Sequence, residues 1–130
     1  MITVVGMWER GYSEEQMFIE DTVWRQTVSA FAVDRFIMIP CPEYDTMQDA
    51  LASTTGDRVF MCYDSEGAEP LWSFIHPEDA VYIFGRPGDN LVQYMNKGNY
   101  KVHIDTPNKV DMLGCSCVAA VLYDRFLNEC

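Results

Sequence analysis

Two glycines three residues apart close an apolar run. Ala80-Val81-Tyr82-Ile83-Phe84 leads into Gly85-Arg86-Pro87-Gly88, and Asp89-Asn90-Leu91 follows. Glycines at such a junction admit positive φ and let another group approach the backbone closely. An arginine beside them can hold a phosphate or stabilise a developing alkoxide. Two phosphate-cradling arrangements are nevertheless ruled out. A Walker A loop requires Lys-Ser/Thr after its last glycine, and Asp89-Asn90 stand there instead. A dinucleotide fingerprint requires three glycines early in a βαβ unit, whereas this stretch has two, late in the chain. An acid directly after Gly88 also opposes an anion at the start of the next element. On its own the stretch reads as a strand-to-helix turn.

The other reactive side chains are dispersed. The five cysteines, Cys41, Cys62, Cys115, Cys117 and Cys130, are odd in number and scattered, which fits free or buried thiols in a reducing compartment better than a disulfide framework. Cys115 and Cys117 are two apart on an expected helix, so they point in different directions. His76 and His103 have no second ligand pair at metal-binding spacing, so no metal site is expected. The net charge is 9 − 20 = −11, which taken alone disfavours nucleic acid. Its distribution is uneven. Residues 86–109 carry Arg86, Lys97, Lys101 and Lys109 against Asp89 and Asp105, a balance of 4 − 2 = +2.

These residues need elements to place them. Ile2-Thr3-Val4-Val5 predicts a strand. Ser13, Glu14, Glu15 and Gln16 form a capping-box start, after which Met17, Val23 or Trp24, Val28 and Phe31 recur at helical spacing. Residues 35–39 predict a second strand, stopped by Pro40-Cys41-Pro42. A short helix over 45–53, closed by Gly56, precedes a third strand over 58–63. One or two helical turns over 68–75 precede a fourth strand over 81–84. A short helix over 89–96, capped by Asp89, and a fifth strand over 100–104 follow. After a loop over 105–109, a long helix over 111–128 carries a stripe through Leu113, Cys117, Ala120 or Val121, and Tyr123 or Asp124. Strands alternating with helices predict one α/β domain over 1–130, a mostly parallel five- to six-stranded sheet covered by helices on both faces. No apolar stretch approaches the roughly 20 residues of a membrane span, and the start MITVVGMWERGY lacks the basic n-region of a signal peptide. The chain reads as soluble and cytoplasmic.

Three motifs in order resemble the SpoU group of SPOUT RNA methyltransferases. Gly85-Arg86-Pro87-Gly88-Asp89-Asn90-Leu91 is similar to that family's Gly-Asn-Glu-Gly-x-Gly-Leu. Val102-His103-Ile104-Asp105-Thr106, followed by Met112-Leu113-Gly114-Cys115-Ser116-Cys117-Val118-Ala119-Ala120, is similar to its strand ending Ile-Pro-Met and the Ser-Leu-Asn-Val-Ser-x-Ala-x-Ala helix. Thr27-Val28-Ser29-Ala30-Phe31-Ala32-Val33-Asp34 is similar to its Arg-Thr-Ala-x-x-Phe-Gly-Val-Asp. The resemblance implies a C-terminal trefoil knot, a homodimer, and an S-adenosylmethionine pocket walled by Phe84, Gly85, Gly88, Leu91, Ile104, Thr106, Met112, Leu113 and Cys117. In that pocket Ile104 and Leu113 would sandwich the base, and Asp105 or Asp111 would face the cationic end. It further implies methyl transfer to a ribose 2′-hydroxyl of RNA, tRNA foremost, with Arg25, Ser116 and Arg86 as catalytic residues.

The departures fall at positions that carry the family's chemistry. Its motif-two Asn and Glu are Arg86 and Pro87, and its Ser-Leu-Asn is Met112-Leu113-Gly114. Its motif-one arginine aligns with Gln26, with Arg25 one residue earlier, and Asp21-Thr22-Val23 stand near its Asn-x-Gly. Arg25 can equally pair with Asp21 on the surface at i−4, and Ser116 can equally be a small helix residue bonding the backbone. Two further readings stay open: a SPOUT-fold binding protein that has lost transfer chemistry, and an enzyme using S-adenosylmethionine on a substrate other than RNA.

Overall fold

Each apolar run alternates its side chains between two faces, and each face is covered by its own helices. The computed structural model describes residues 1–9, 11–62, 67–86, 91–108 and 110–129. Its elements in chain order are β1 (Ile2–Met7), α1 (Glu14–Ala30), β2 (Arg35–Ile39), α2 (Met47–Ala52), β3 (Asp57–Met61), β4 (Glu69–Pro70), β5 (Ala80–Ile83), β6 (Tyr100–His103) and α3 (Gly114–Asn128). Two 3-10 turns, Leu71–Ser73 and Leu91–Tyr94, lie between them. The strands form one six-stranded sheet in the order β2-β1-β5-β3-β6-β4, parallel at every pairing.

One face of the sheet presents Val4, Met38, Val59, Tyr82, Phe84 and Val102 to α1 and α3. The other presents Val5, Ile37, Ile39, Phe60, Val81 and Ile83 to α2 and Leu91. A strand buried on both sides reads as a continuous apolar run, and this is why Ala80–Ile83, with all four residues buried, shows no polar alternation. The expected two-faced α/β layering is present, and the sheet is wholly parallel with six strands.

Several local expectations shift. α1 begins at Ser13 as read: the Ser13 Oγ accepts from Gln16 N–H at 3.2 Å and Gln16 Oε1 accepts from Ser13 N–H at 2.9 Å. Its buried face, however, is Glu20, Trp24 and Val28, and Met17 and Val23 are each 39% exposed. α2 runs 47–52 behind a Thr46 cap instead of 45–53. The predicted helical turns over 68–75 are the edge strand β4 followed by a 3-10 turn. A two-residue strand containing Pro70 gives no alternation to detect, and proline suits an edge because it has no N–H. The helix expected over 89–96 is a 3-10 turn at Leu91–Tyr94; its predicted cap Asp89, with Gly88, lies outside the described residues, as does Tyr63 at the end of the expected third strand.

The stripe of α3 is offset from that expected. The helix starts at Gly114, three residues late, and buries Gly114, Cys115, Val118, Val121, Leu122 and Arg125, while Leu113 is 37% and Tyr123 is 53% exposed. The cause is close packing against Trp24. A Cβ at Gly114 would lie 2.7 Å from Trp24 Cζ2, and one at Gly6 would lie 2.8 Å from Trp24 Cη2. The fully buried indole therefore sets how near α3 approaches the sheet.

At its other end α3 is clamped through polar groups. Arg125 Nη1 donates to Pro77 O at 2.6 Å and to the Tyr82 hydroxyl at 2.9 Å, and Nη2 donates to Glu78 O at 3.0 Å. His76, solitary in sequence, lies 2.8 Å from the Tyr82 hydroxyl through Nδ1 and 2.7 Å from Asp124 through Nε2. This network ties the crossover before β5 to α3. No helix of the described residues is long and apolar enough to cross a membrane.

Candidate functional site

In a parallel sheet all strands finish at one edge, and ligands bind outside their carboxyl ends. At that edge β3, β5 and β6 end side by side, and the connection into α3 folds back over them. The result is a cavity of about 120 Å³ lined by Met61, Cys62, Phe84, Gly85, Arg86, Leu91, Ile104, Thr106, Val110, Asp111, Met112, Gly114 and Cys117. Larger clefts exist elsewhere. The one at the amino ends of the strands has a volume of about 520 Å³ and is lined in part by Asp57, Glu69, Glu78 and Asp79, with Asp79 already 2.7 Å from the N-terminal amine.

The walls of the carboxyl-edge cavity are built from both core layers. Phe84, 1% exposed, meets Trp24 edge-to-face at 5.9 Å, so one wall is braced by α1. Leu91, 3% exposed, belongs to the opposite layer. Thr106 Oγ1 donates to Asn108 O at 2.5 Å and tightens the loop after β6. Cys117 Sγ lies 3.9 Å from Met112 O, and burial first, with the neighbouring Cys115 and Asp111 charges second, pushes its thiol up to about 11. Cys117 is therefore a neutral wall at physiological pH and not a thiolate. Cys115 is buried in the α1 and α3 core layer, against which Cys117 also packs, and of the two only Cys117 lines the cavity.

The site residues read from the sequence distribute unevenly. Phe84, Gly85, Leu91, Ile104, Thr106, Met112 and Cys117 come together in the cavity, with Arg86 on its lining. Gly88 lies outside the described residues. Leu113 is the N-cap of α3 and does not line the cavity, whereas Met112 and Ile104 both do. Asp111 lines it; Asp105 points elsewhere, its Oδ2 accepting from Trp72 Nε1 at 3.0 Å and its Oδ1 lying 3.0 Å from His103 Nδ1. Arg25 is not in the lining: Nε donates to Asp21 Oδ1 at 2.8 Å and the guanidinium lies 5.6 Å from the Phe36 ring centroid. Ser116 is exposed on the first turn of α3, its N–H donating to Leu113 O, and does not line the cavity either.

Met61, Cys62, Val110 and Gly114 also line the cavity, beyond the residues to which the motifs point. The first two could have been found by pairing β3 beside β5, since the end of each neighbouring parallel strand reaches the same edge. Gly114 could not, because its role depends on the position of Trp24 in three dimensions.

No protein-family model matches the chain, and no curated protein matches it. Solved structures do. One, concerned with the 2-OH methylation of C/U34 on tRNA, superposes with a TM-score of 0.66 at 13% identity, covering 98% of this chain and 91% of the other. The probable methylase family protein of Haemophilus influenzae Rd KW20 gives 0.63 at 12% identity over 98% of this chain; the match spans 65% of that longer protein. A candidate RNA methyltransferase of Bacillus anthracis gives 0.57 at 13%, covering 99% and 94%. The chain thus has the fold of these methyltransferase structures over nearly its whole length.

Proposed function

We propose that the protein is an S-adenosylmethionine-dependent methyltransferase that acts on a ribose 2′-hydroxyl of RNA, with tRNA the foremost substrate. The observation that carries this reading is the convergence of 84–86, 104–106 and 110–117 around one cavity at the carboxyl edge of a sheet whose fold matches those structures. The lining suits a nucleoside thioether cation. Phe84, Leu91, Ile104 and Met112 offer apolar surface for a base, Gly85 on the lining has no side chain to hinder close approach to its backbone, and Asp111 offers a carboxylate to a positive group. Polyphosphate is a poor fit, because among the described residues Arg86 is the one basic side chain of the lining.

When bound, the donor supplies an electrophilic methyl group on a sulfonium. The chain's own residues then provide position, which supplies much of the rate in such transfers. The apolar walls exclude water, Arg86 at the cavity holds the acceptor's phosphate or its developing alkoxide, and Asp111 balances the donor's positive end. Arg25 and Ser116 remain candidates only if the homodimer brings them to a site. Arg25 shares a helix face with Phe18, which is 72% exposed beside Ile19 at 63%, so a second copy seated on α1 would cover both. The trefoil knot belongs to the same reading, supported by the presence of Ile104, Thr106 and 110–112 in one lining with residues that follow β3 and β5.

The test is transfer from isotopically labelled S-adenosylmethionine to a total tRNA pool, with nucleoside mass spectrometry to locate the label. The expected product is a 2′-O-methylated nucleoside. A second reading, a binding protein without transfer, is favoured by the pairing of Arg25 with Asp21; donor binding with no methylated product would establish it in place of the first.

A further inference from the structure

We propose that Trp72 is a stacking platform for an unpaired RNA base next to the donor cavity, an inference that rests on the reading just given. The residue is unusual in being both exposed and fixed. Its side chain is 74% exposed, yet its indole Nε1 donates to Asp105 Oδ2 at 3.0 Å, and Asp105 Oδ1 lies 3.0 Å from His103 Nδ1. The backbone beneath it is held as well. Pro70 pairs with His103 across β4 and β6, Leu71 is 8% exposed in the core, and Phe74 N–H donates to Leu71 O at 3.1 Å. An exposed aromatic ring ordinarily gives up rotamer freedom when it is covered; here much of that ordering is already done by the Asp105 bond.

The position of Trp72 matches the site. Asp105, which anchors it, stands between Ile104 and Thr106, both on the cavity lining. The 3-10 turn that carries Trp72 directly follows β4, and β4 pairs with β6, the strand that leads into Ile104 and Thr106. The one net-positive stretch of this acidic sequence, 86–109, supplies Arg86 to the cavity lining and Lys101 to β6, the strand that pairs with β4 just before Trp72. A fixed aromatic face beside cations is the arrangement that holds single-stranded nucleic acid, with bases stacked and the backbone screened. Recognition of unpaired RNA through splayed bases on aromatic side chains follows the same physics.

Trp72→Ala, Trp72→Phe and Asp105→Ala are compared with the parent chain for binding of an unstructured 12-nucleotide RNA by fluorescence anisotropy, with S-adenosylhomocysteine titrated in parallel. Trp72→Ala is expected to weaken RNA binding about tenfold or more, Trp72→Phe by no more than about threefold, and Asp105→Ala several-fold through release of the indole, all with S-adenosylhomocysteine affinity within about twofold of the parent. RNA affinity of Trp72→Ala within about twofold of the parent overturns the proposal. So does an equal loss of both ligands, or a change in oligomeric mass showing that Trp72 packs between copies. If the parent binds S-adenosylhomocysteine but no RNA, the platform falls and the donor cavity stands. If it binds RNA through Trp72 but no S-adenosylhomocysteine, the donor cavity falls and the platform stands.

Discussion

Gly114 is the residue at which packing and site meet. It lines the cavity, and its missing Cβ leaves room for Trp24 at 2.7 Å. A side chain there must move either the indole or α3, and overpacking of this kind costs about 1–3 kcal/mol. Gly114→Ala is expected to lower the unfolding free energy in urea by that amount and to weaken S-adenosylhomocysteine binding, since any movement of α3 displaces Cys117. Glu20 carries a different strain. It is 5% exposed, its Oε1 accepts from Trp24 Nε1 at 3.3 Å, and among the described residues Oε2 has no hydrogen-bond partner. Burial raises its carboxyl above the ordinary value of 4.5, against the opposing bonds from Trp24 and the Glu9 backbone. The folded state therefore binds this proton more tightly than the unfolded state, and stability from this group is lost as pH rises from 4.5 through the raised value. Glu20→Gln removes the charge while retaining an acceptor for Trp24. It is expected to be more stable than the parent by about 1 kcal/mol at pH 7, with the difference shrinking toward pH 4. An unchanged difference at both pH values would show that ionisation is not the cause.

At the scale of elements, the most legible parts of the sequence were those whose signals are local. Ser13 and Gln16 announced the start of α1, and the uninterrupted apolar run 80–84 announced a central strand. The less legible parts depend on contacts far along the chain. β4 is a strand only because Glu69 and Pro70 find Val102 and His103. The face of α1 that is buried includes Glu20 in place of Met17, a choice governed by Trp24 and not by hydrophobic periodicity. The end of α1 offers a test of local conformation. Ala32 has φ of 54°, with its N–H donating to Ser29 O and Val33 N–H donating to Val28 O, the Schellman pattern that favours glycine at this position. Ala32→Gly is expected to raise thermal stability by about 1 kcal/mol; a loss of stability would mean that the Ala32 methyl makes a contact worth more than the backbone strain.

For the molecule as a whole, the sheet order brings separated pieces of sequence to one edge. The walls contributed by Phe84, Ile104 and Met112 were readable from motif order, because a parallel sheet forces every strand to end on the same side. The contributions of Met61 and Cys62 become legible only once β3 is paired beside β5, a pairing that no local signal sets. Arg25 shows the complementary lesson: alignment placed it near a catalytic position, whereas its helix places it against Asp21. The exposed apolar residues Phe18 and Ile19 on α1 predict association, since such surface marks an interface. Light scattering at micromolar protein is expected to give twice the 14.9 kDa chain mass, and Phe18→Glu is expected to return the monomer. The claim on which the others depend is that the carboxyl-edge cavity receives the methyl donor's nucleoside, and isothermal titration with S-adenosylhomocysteine tests it directly. Saturable binding is expected, weakened about tenfold or more by Ile104→Asp, which places an unpaired charge against the base; absence of binding at millimolar ligand, or binding indifferent to that replacement, would contradict the claim.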